Sequence, residues 1–440
     1  MLTRRTLVAG LASGLAACAA GCARLAAPPA PTPTAVPTAP PQPSPTSPAA
    51  TPTRVAPTAT AAATPVPTAL APTAAEPTAA VSAQPTATAA PAEASQVALE
   101  IRVWNGAAEL QLDGRTITPG VQLVDRGPHQ AAALVDGQVV AMADALPEGG
   151  TLDLVVPPPL AGLAVMIENQ ADARPQTGLT QADVVYEALA EGGITRFIAI
   201  YLSGDASPVG PVRSLRHYFA FMAAEYGADV VHIGASPEGY AWRDALHMGH
   251  LDETYGEPGV WRVGTRPPPH NAYTVTAADR GFLAQFGWQQ NHSWGPLLFS
   301  DNAPAGQLAA ENISLNFHPW AYQVDYAWDA TQGRYLRTME GAPHLDAASG
   351  EQIAPASVVV QFAEVDPIPN DPKYRLDVNL AGGGGELVVF SGGTRRDGSW
   401  SKADPSSPAV WLDSGGQPVV LPPGPVWVEV LPLDSPLQVS

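Results

Sequence analysis

The feature that most constrains this chain is residues 26–96, in which proline, alanine and threonine fill 56 of 71 positions. Eighteen of these positions are proline, which lacks the backbone N–H that helices and sheets use. Alanine and threonine bury too little apolar surface to offset the entropy lost when a chain is ordered. We therefore predict a disordered tether over residues 18–96, extended as proline-rich linkers are. The part of the chain that can fold begins at residue 97.

The first 17 residues have the pattern of an export signal. Arg4 and Arg5 supply positive charge, and a short apolar run and two alanines follow. The run is too short to cross a bilayer, which takes roughly 20 apolar residues. Leu15-Ala16-Ala17-Cys18 resembles a bacterial lipobox, whose cysteine receives the lipid. We expect residues 1–17 to be a lipoprotein signal peptide and Cys18 the lipidation site. The protein would then be exported and anchored by its N-terminal lipid on the extracytoplasmic face of the cell membrane.

Cysteine usage fits this interpretation. Cys18 and Cys22 are the two cysteines of the chain, so the foldable part has no disulfide, no thiolate metal site and no cysteine nucleophile. Exported domains often use disulfides, and without them a core of ordinary size must supply the stability. The alternatives are an ordinary export signal cleaved near Ala20 and lipidation at Cys22.

The foldable part is strongly acidic. Residues 97–440 carry 18 basic and 39 acidic side chains, which is a net charge of −21. Such a surface repels nucleic acid and anionic lipid headgroups, so we predict that nucleic acid is not a partner. Clusters of arginine stand out against so negative a background.

Hydrophobic periodicity divides the foldable part into three predicted regions. Residues 97–159 alternate like strands, with Asp-Gly turns between apolar runs, and predict a small all-β module. Residues 160–300 mix strand and helix periods, and residues 301–440 are mostly strand and turn. The expected helices are Val212–Tyr226, one that begins after Ser236, and Thr276–Phe286. The predicted fold class is α+β, with a mixed middle domain, a mostly β C-terminal domain and the small all-β N-terminal module.

The common catalytic and cofactor motifs are missing from the sequence. It has no GxxxxGK[ST] phosphate loop, no HExxH metal motif and no GxGxxG turn between a strand and a helix. Ser236 lies at a strand-to-helix turn, but Pro237 removes an N–H that an oxyanion hole would use, which favours Ser236 as a helix cap. His247 and His250 lack a third metal ligand nearby. We therefore predict no cofactor and no metal site.

Polar residues concentrated in the middle region form the candidate site. The segment Gly210–Arg216 places Arg213 and Arg216 on one face at the predicted start of a helix, where cations need a compensating anion. A bound anionic ligand between the two guanidinium groups would supply that charge. The alternative is internal pairing with nearby carboxylates, namely Glu187, Glu191 or Asp183.

Lysine usage adds one candidate. Lys373 and Lys402 are the two lysines among 22 basic residues, so a chain that otherwise uses arginine places a compact, titratable amine at residue 402. A surface lysine is the alternative. The predicted ligand-binding set is Arg174, Glu187, Glu191, Arg196, Arg213, Arg216, His232, His270, Asn271 and Lys402.

Several of these residues stand in motifs that resemble the YerB-like family of bacterial lipoproteins. The motifs lie in order between residues 160 and 432: Ala164–Asn169, Ala173–Gly178, Ala182–Glu187, Glu191–Phe197, Gly210–Arg216, Pro269–Tyr273, Gly333–Arg337, Pro343–Asp346, Gly350–Gln352 and Trp400–Lys402. Residues 97–156 fall outside the resemblance. The family is a two-part domain of unknown function, so the resemblance implies no activity, although it favours a shared site in the middle region.

Two functions from different classes follow from the candidate residues. The first is a binding protein that holds an anionic or glycan-like cell-envelope component through its arginines, with His270 and Asn271 as hydrogen-bonding partners. The second is an enzyme that processes an envelope polymer, with Glu187 or Glu191 and His270 as acid and base. Binding is favoured because no nucleophile–base pair is visible, and the enzymatic alternative stays open. A protein-interaction scaffold is the third alternative.

Overall fold

The computed structural model describes residues 96–145, 148–288, 291–318 and 321–440. The predicted signal peptide, Cys18 and the tether up to residue 95 lie outside the described residues. Of the described residues, 46% are in strands and 12% in helices, and they include three α-helices. The prediction of an α+β fold is therefore wrong, because the protein is mostly β. The predicted division into domains stays a prediction.

The N-terminal module is built from seven strands. They are β1 (Gln96–Trp104), β2 (Glu109–Leu112), β3 (Arg115–Ile117), β4 (Gly120–Asp125), β5 (His129–Val135), β6 (Gln138–Ala145) and β7 (Gly150–Val155). One sheet has the order β4-β1-β7 and the other β3-β2-β5-β6. Leu99, Ile101 and Leu110 are buried in its core. The turns at Asp113-Gly114 and Asp136-Gly137 have positive φ, which is why these two residue types occupy them.

The rest of the described chain has 22 further strands. They are β8 (Leu163–Glu168), β9 (Val184–Leu189), β10 (Thr195–Tyr201), β11 (Asp229–His232), β12 (His250–Asp252), β13 (Trp261–Arg262), β14 (Ala272–Tyr273), β15 (Leu298–Phe299), β16 (Leu308–Ala309), β17 (Asn312–His318), β18 (Ala321–Asp329), β19 (Arg334–Met339), β20 (Ala342–Pro343), β21 (Ser357–Ala363), β22 (Val365–Pro367), β23 (Leu376–Val378), β24 (Gly384–Ser391), β25 (Thr394–Ser401), β26 (Val410–Asp413), β27 (Val420–Leu421), β28 (Val426–Pro432) and β29 (Leu437–Val439).

An eleven-stranded sheet runs through the centre of this part. Its strand order is β12-β11-β8-β10-β9-β28-β21-β24-β25-β16, with β26 paired to β25. The parallel pair β9–β28 joins the two halves of the sheet, and Glu187 lies opposite Glu429 in its register. The central strands β8, β9, β10 and β21 are buried at every residue, so they lack the alternation that marks a half-exposed strand, and their few charged residues, such as Glu187 and Arg196, are buried with the apolar ones.

Three helices accompany the sheet: α1 (His217–Glu225), α2 (Pro237–Ala245) and α3 (Thr276–Gln285). The prediction for α2 is confirmed, since Ser236 caps it by accepting a 3.0 Å hydrogen bond from the N–H of Gly239. Helix α1 begins five residues later than predicted. Residues 212–216 are extended because the backbone of Arg213 bonds to β8 and not to a helical turn.

The two faces of the large sheet are covered differently. Helix α1 packs on one face, where Tyr218, Phe219 and Met222 belong to a single buried cluster with residues of β8 to β10. A five-stranded sheet, β20-β19-β18-β17-β29, shares an apolar core with strands β21 and β24 on the other face. Charged side chains of the large sheet must therefore find their partners inside the protein.

Candidate functional site

The site is built where β8 ends. The extended segment Gly210–Arg216 runs alongside this strand: the N–H of Glu168 donates to the carbonyl of Pro211, and the N–H of Arg213 donates to the carbonyl of Met166, both at 2.9 Å. These bonds hold the segment straight up to the start of α1. Arg213 therefore lies beside Glu168.

Glu168 is a buried carboxylate with a cationic or polar partner at each oxygen. Oε1 lies 3.1 Å from Nε of Arg213, and Oε2 lies 2.9 Å from Nδ1 of His270. An ionised carboxylate only accepts, so Nδ1 carries the proton and Nε2 of a neutral His270 is free to accept. Among the described residues, His270 Nε2 and the terminal guanidinium nitrogens of Arg213 have no hydrogen-bond partner. The side chain of Arg213 is 31% exposed.

A second carboxylate, Glu191, holds two more arginines. Arg216 donates from Nε to Glu191 Oε1, and Arg196 Nη2 lies 3.5 Å from Oε2. Burial opposes ionisation of Glu191, but Arg216 and Arg196 outweigh it and keep the pKa of its carboxyl below the usual value. Burial, and after it repulsion by Arg216, lowers the pKa of Arg196 to about 10. Arg196 also lies opposite Glu168 in the β8–β10 register, which makes the two groups neighbours.

We call these six residues the arginine cluster: Glu168, Glu191, Arg196, Arg213, Arg216 and His270. Arg196 and Arg216 also donate to the backbone carbonyls of Ser214 and Leu215, and their side chains are 8% and 12% exposed. Their donors are used inside the protein. Arg213 is the arginine of the cluster with open donors and access to solvent.

Asn169, the residue after Glu168, points to a different set of partners. Its amide nitrogen donates to Thr195 Oγ1 at 2.7 Å and to Glu187 Oε1 at 3.1 Å. Its carbonyl oxygen accepts from Arg174 Nε at 3.2 Å, and Arg174 also donates to Glu340. Arg174 and Glu187 are thus joined through Asn169, which is fully buried.

Glu187 faces a fully buried arginine from the other half of the chain. Arg337 on β19 donates from Nη2 to Glu187 Oε2, and both side chains are 0% exposed. The guanidinium lies over the ring of Trp427, 4.4 Å from its centroid. Nε of Arg337 donates to Tyr326 at 3.1 Å. A buried ion pair of this kind ties the two halves together and holds Glu187 away from solvent.

Glu429 is the second carboxylate beside Arg337. It accepts from the hydroxyl of Tyr326, while its Oε2 is buried and has no hydrogen-bond partner among the described residues. Burial, and after it repulsion by Glu187, raises the pKa of Glu429 to about 8. One arginine therefore faces two buried carboxylates, of which Glu429 is the one whose protonated form is favoured.

The tautomer of His344 follows from its neighbours. Arg337 Nη1 can only donate to His344 Nδ1, so Nε2 carries the proton and donates to Gln176 Oε1 at 2.9 Å. Burial, with Arg337 beside it, holds the pKa of His344 well below its ordinary value. Gln176 in turn donates to Asn169 Oδ1, which closes a ring of hydrogen bonds. We call this the buried network: Asn169, Gln176, Glu187, Thr195, Tyr326, Arg337, His344 and Glu429.

The remaining predicted site residues lie elsewhere. His232 is completely buried, donates from Nδ1 to the carbonyl of Gly234 at 2.9 Å and has no partner at Nε2 among the described residues. Burial lowers its pKa to about 4. Asn271 accepts from Arg262 at 3.0 Å and donates to the carbonyl of Val263. The partners of its side chain are therefore different from Glu168, the partner of His270.

Lys402 is buried in a third place. Its Nζ lies 3.1 Å from Glu225 Oε1, donates to the carbonyl of Ser407, and has no solvent exposure. Glu225 also accepts from Tyr186, which points to the face of β9 opposite Glu187. Burial raises the pKa of Glu225, although Lys402 opposes the rise. The amine is thus committed to an internal ion pair.

The structure brings five of the ten predicted residues into the arginine cluster. Glu187 belongs to the buried network, and Arg174 contacts that network through Asn169. Glu168, Arg337 and Glu429 were not among the predicted site residues. A signal was present for Glu168 and Glu429, which are charged residues in the apolar strands Leu163–Glu168 and Val426–Pro432. Arg337 alternates in phase with the buried Tyr335 and Met339. Among the described residues, no group of three or more His, Cys, Asp or Glu side chains is placed to hold a metal ion.

Comparisons with known proteins match this two-part arrangement. The model of the N-terminal domain of DUF3048, a protein of unknown function, matches residues 158–289, and the model of its C-terminal domain matches residues 313–428. No helix within the described ranges is both long and apolar enough to cross a membrane.

A curated relative and a solved structure are also similar to this chain. "Putative lipoprotein YerB" of Bacillus subtilis (strain 168) is 33% identical over 279 residues, which is 61% of this chain and 81% of that protein. The crystal structure of YerB from Bacillus subtilis superposes with a TM-score of 0.56 at 29% identity, covering 63% of this chain and 94% of that one. The resemblance noted in the sequence is thereby confirmed. Since both halves of the pair match in order and the alignment spans most of YerB, this chain belongs to the DUF3048 family of YerB-like proteins.

Proposed function

We propose that this protein is a membrane-anchored lipoprotein whose body binds an anionic or glycan-like component of the cell envelope at the arginine cluster. The observation that carries the proposal is Arg213. Its guanidinium is 31% exposed, it meets one carboxylate oxygen through Nε, and its terminal nitrogens have no partner among the described residues. An open guanidinium fork matches the paired oxygens of a phosphate or carboxylate.

The charge balance of the cluster supports an anion. Three arginines face two carboxylates, so one positive charge remains uncompensated before His270 is considered. Arg196 and Arg216 are neutralised mainly by Glu191, which leaves the excess at Arg213. A hydroxyl of a ligand bound there would donate to Nε2 of His270.

The ligand test uses thermal unfolding of the full-length protein. We would add poly(glycerol phosphate), soluble peptidoglycan fragments or inorganic phosphate and expect at least one anionic ligand to raise the melting temperature. Arg213→Gln should abolish that rise, while Arg395→Gln, which removes a surface arginine paired with Asp397, should retain it. A rise that persists unchanged in Arg213→Gln would contradict the proposal.

The anchoring part rests on the sequence Leu15-Ala16-Ala17-Cys18 and on the description of YerB as a putative lipoprotein. Labelling cells with a fatty acid that carries a detectable tag tests it. Cys18→Ser should remove the label from the protein, and Cys22→Ser should retain it. Label that is lost in Cys22→Ser and retained in Cys18→Ser would assign the lipid to Cys22. Absence of label in the unaltered protein would contradict anchoring.

A second candidate function is favoured by the Glu168–His270 pair. A carboxylate that fixes the proton on Nδ1 leaves Nε2 able to act as a general base, which is the arrangement of many hydrolytic sites. In this candidate Glu168 takes the place of Glu187 or Glu191 in the predicted pair with His270, because Glu168 is the carboxylate that lies 2.9 Å from His270 Nδ1. Release of fragments from cell-wall polymers that is lost in His270→Gln, with the fold intact, would establish the enzyme.

A further inference from the structure

A cleft of about 670 Å³ lies between helices α1 and α2 and the β22–β23 hairpin. It is lined by side chains from both halves of the chain. Helix residues His217, Phe221 and Trp242 form one wall, and Asp366 and Asp377 of the hairpin belong to the other. The proposed function does not use this cleft.

An exposed tryptophan provides the apolar surface of the cleft. Trp242 is 39% exposed, whereas its neighbour Phe221 is 5% exposed. The two rings meet edge to face, with centroids 5.1 Å apart and an interplanar angle of 85°. This contact fixes the orientation of the indole and leaves part of it to a ligand.

Carboxylates provide the charge of the cleft. Glu238, Asp366 and Asp377 all line it, and Arg375 lies 3.4 Å from Glu238. Asp377 binds His217 Nε2 at 2.8 Å but remains 60% exposed. Asp366 is exposed, and within the described residues it has no side-chain hydrogen bond or ion pair. The cleft therefore repels anions and attracts cations.

We propose that this cleft binds a ligand that carries an ammonium group, which lies over the Trp242 ring and is neutralised by Asp366 and Asp377. Tryptophan is the aromatic side chain best suited to bind a cation, and carboxylates around an aromatic ring select for ammonium ligands. Charge complementarity disfavours a neutral sugar as the ligand. A sugar would stack on the Trp242 ring but leave the negative charges of Asp366 and Asp377 uncompensated. The ammonium group can be quaternary or primary, and the test below distinguishes these two kinds of ligand.

The test is a ligand-observed NMR titration of the full-length protein with choline in 0.15 M salt, which screens general attraction to the acidic surface. The matched ligand is 3,3-dimethylbutanol, which has the shape of choline without its charge. We expect choline to bind and the neutral analogue to bind at least about fivefold more weakly. Ethanolamine in parallel identifies a primary ammonium as the preferred source if it binds more tightly than choline.

Matched variants locate the binding. Trp242→Leu and Asp366→Asn should each weaken ammonium binding by about fivefold or more. Trp261→Leu replaces a tryptophan of similar exposure outside the cleft, and Glu386→Gln removes an exposed carboxylate elsewhere, so neither should change it. Because Trp242 and Asp366 are exposed, both variants should fold. Binding of choline and dimethylbutanol with equal affinity, no binding of either ammonium ligand, or binding indifferent to Trp242 and Asp366 would each overturn the proposal.

Discussion

The arginine cluster and the buried network begin at neighbouring residues of the chain and differ in their access to water. Glu168 turns to Arg213 and His270, where 31% of the Arg213 side chain is exposed. Asn169 turns to Glu187 and the fully buried Arg337. A charge without access to water must keep its protein partner, whereas a charge at the surface can exchange it for a ligand. The same residue types therefore serve structure in one place and are suited to binding in the other.

The largest effect should come from Arg337→Met. This change leaves Glu187 buried without its cation, and removing one partner of a buried ion pair costs about 3–5 kcal/mol of unfolding free energy. Arg395→Met, which breaks a surface pair with Asp397, should cost about 0–1 kcal/mol. Urea denaturation of the full-length variants measures both values. Equal losses of unfolding free energy would show that burial does not distinguish the Arg337–Glu187 pair from the Arg395–Asp397 pair.

An intermediate effect should appear in the pH dependence of stability. The pKa of Glu429 is about 8 in the folded protein and near 4.5 when unfolded, so the folded state binds the extra proton between these values. The contribution of Glu429 to stability must then fall as pH rises from about 4.5 to 8, by the linkage of proton binding to folding. Glu429→Gln should flatten this decline, as denaturation at several pH values would detect. A slope unchanged by the substitution would place the titration on another group.

At acid pH, protonation of His344 in the buried network should lower the stability of the folded protein. Because its pKa is held well below 6.5, the unfolded chain binds a proton that the folded protein does not. His344 therefore lowers the stability progressively as pH falls below about 6.5. His344→Gln should reduce this acid-side loss relative to the unaltered protein. The same denaturation series provides the measurement, and a steeper acid-side loss in the variant would contradict it.

A smaller loss of stability than in Arg337→Met should come from Arg213→Gln. The guanidinium is partly exposed and His270 remains beside the second oxygen of the buried Glu168, so the substitution should cost about 1–3 kcal/mol. Binding of an anionic ligand should disappear in the same variant. A loss of unfolding free energy as large as that in Arg337→Met would show that Arg213 has a structural role like that of Arg337.

Much of the local structure was predictable because it depends on neighbouring residues. Asp-Gly turns allow positive φ at the hairpins of the N-terminal module, and Ser236-Pro237 starts α2. The fold class was not predictable in the same way. Fully buried strands such as β9 have no alternation, and the segment before α1 has helical spacing but bonds to β8. Long-range backbone pairing outweighed local preference in these places.

The candidate site divides along the same line. Arg213 and Arg216 were identified because arginines at a helix start require compensation, and His270 because polar residues are concentrated in the middle region; the cluster does gather all three. Which carboxylates compensate them was not predictable, since Glu168 and Glu191 are selected by strand register and by the path of residues 210–216. Pairing across a sheet is a property of the assembled fold.

The sequence by itself determined the proline-rich segment, the acidic charge, the lipobox pattern and membership of the YerB-like family, because these depend on composition and local order. Only the tertiary structure decided which charged side chains are held in buried ion pairs and which remain accessible to a ligand. Arg337 is enclosed because β9 and β28 pair in parallel and bring Glu187 and Glu429 to one buried place. Arg213 lies beside the end of β8 through the backbone bond to Met166, and its side chain is 31% exposed. Burial separates residues of the same chemistry into structural and available groups.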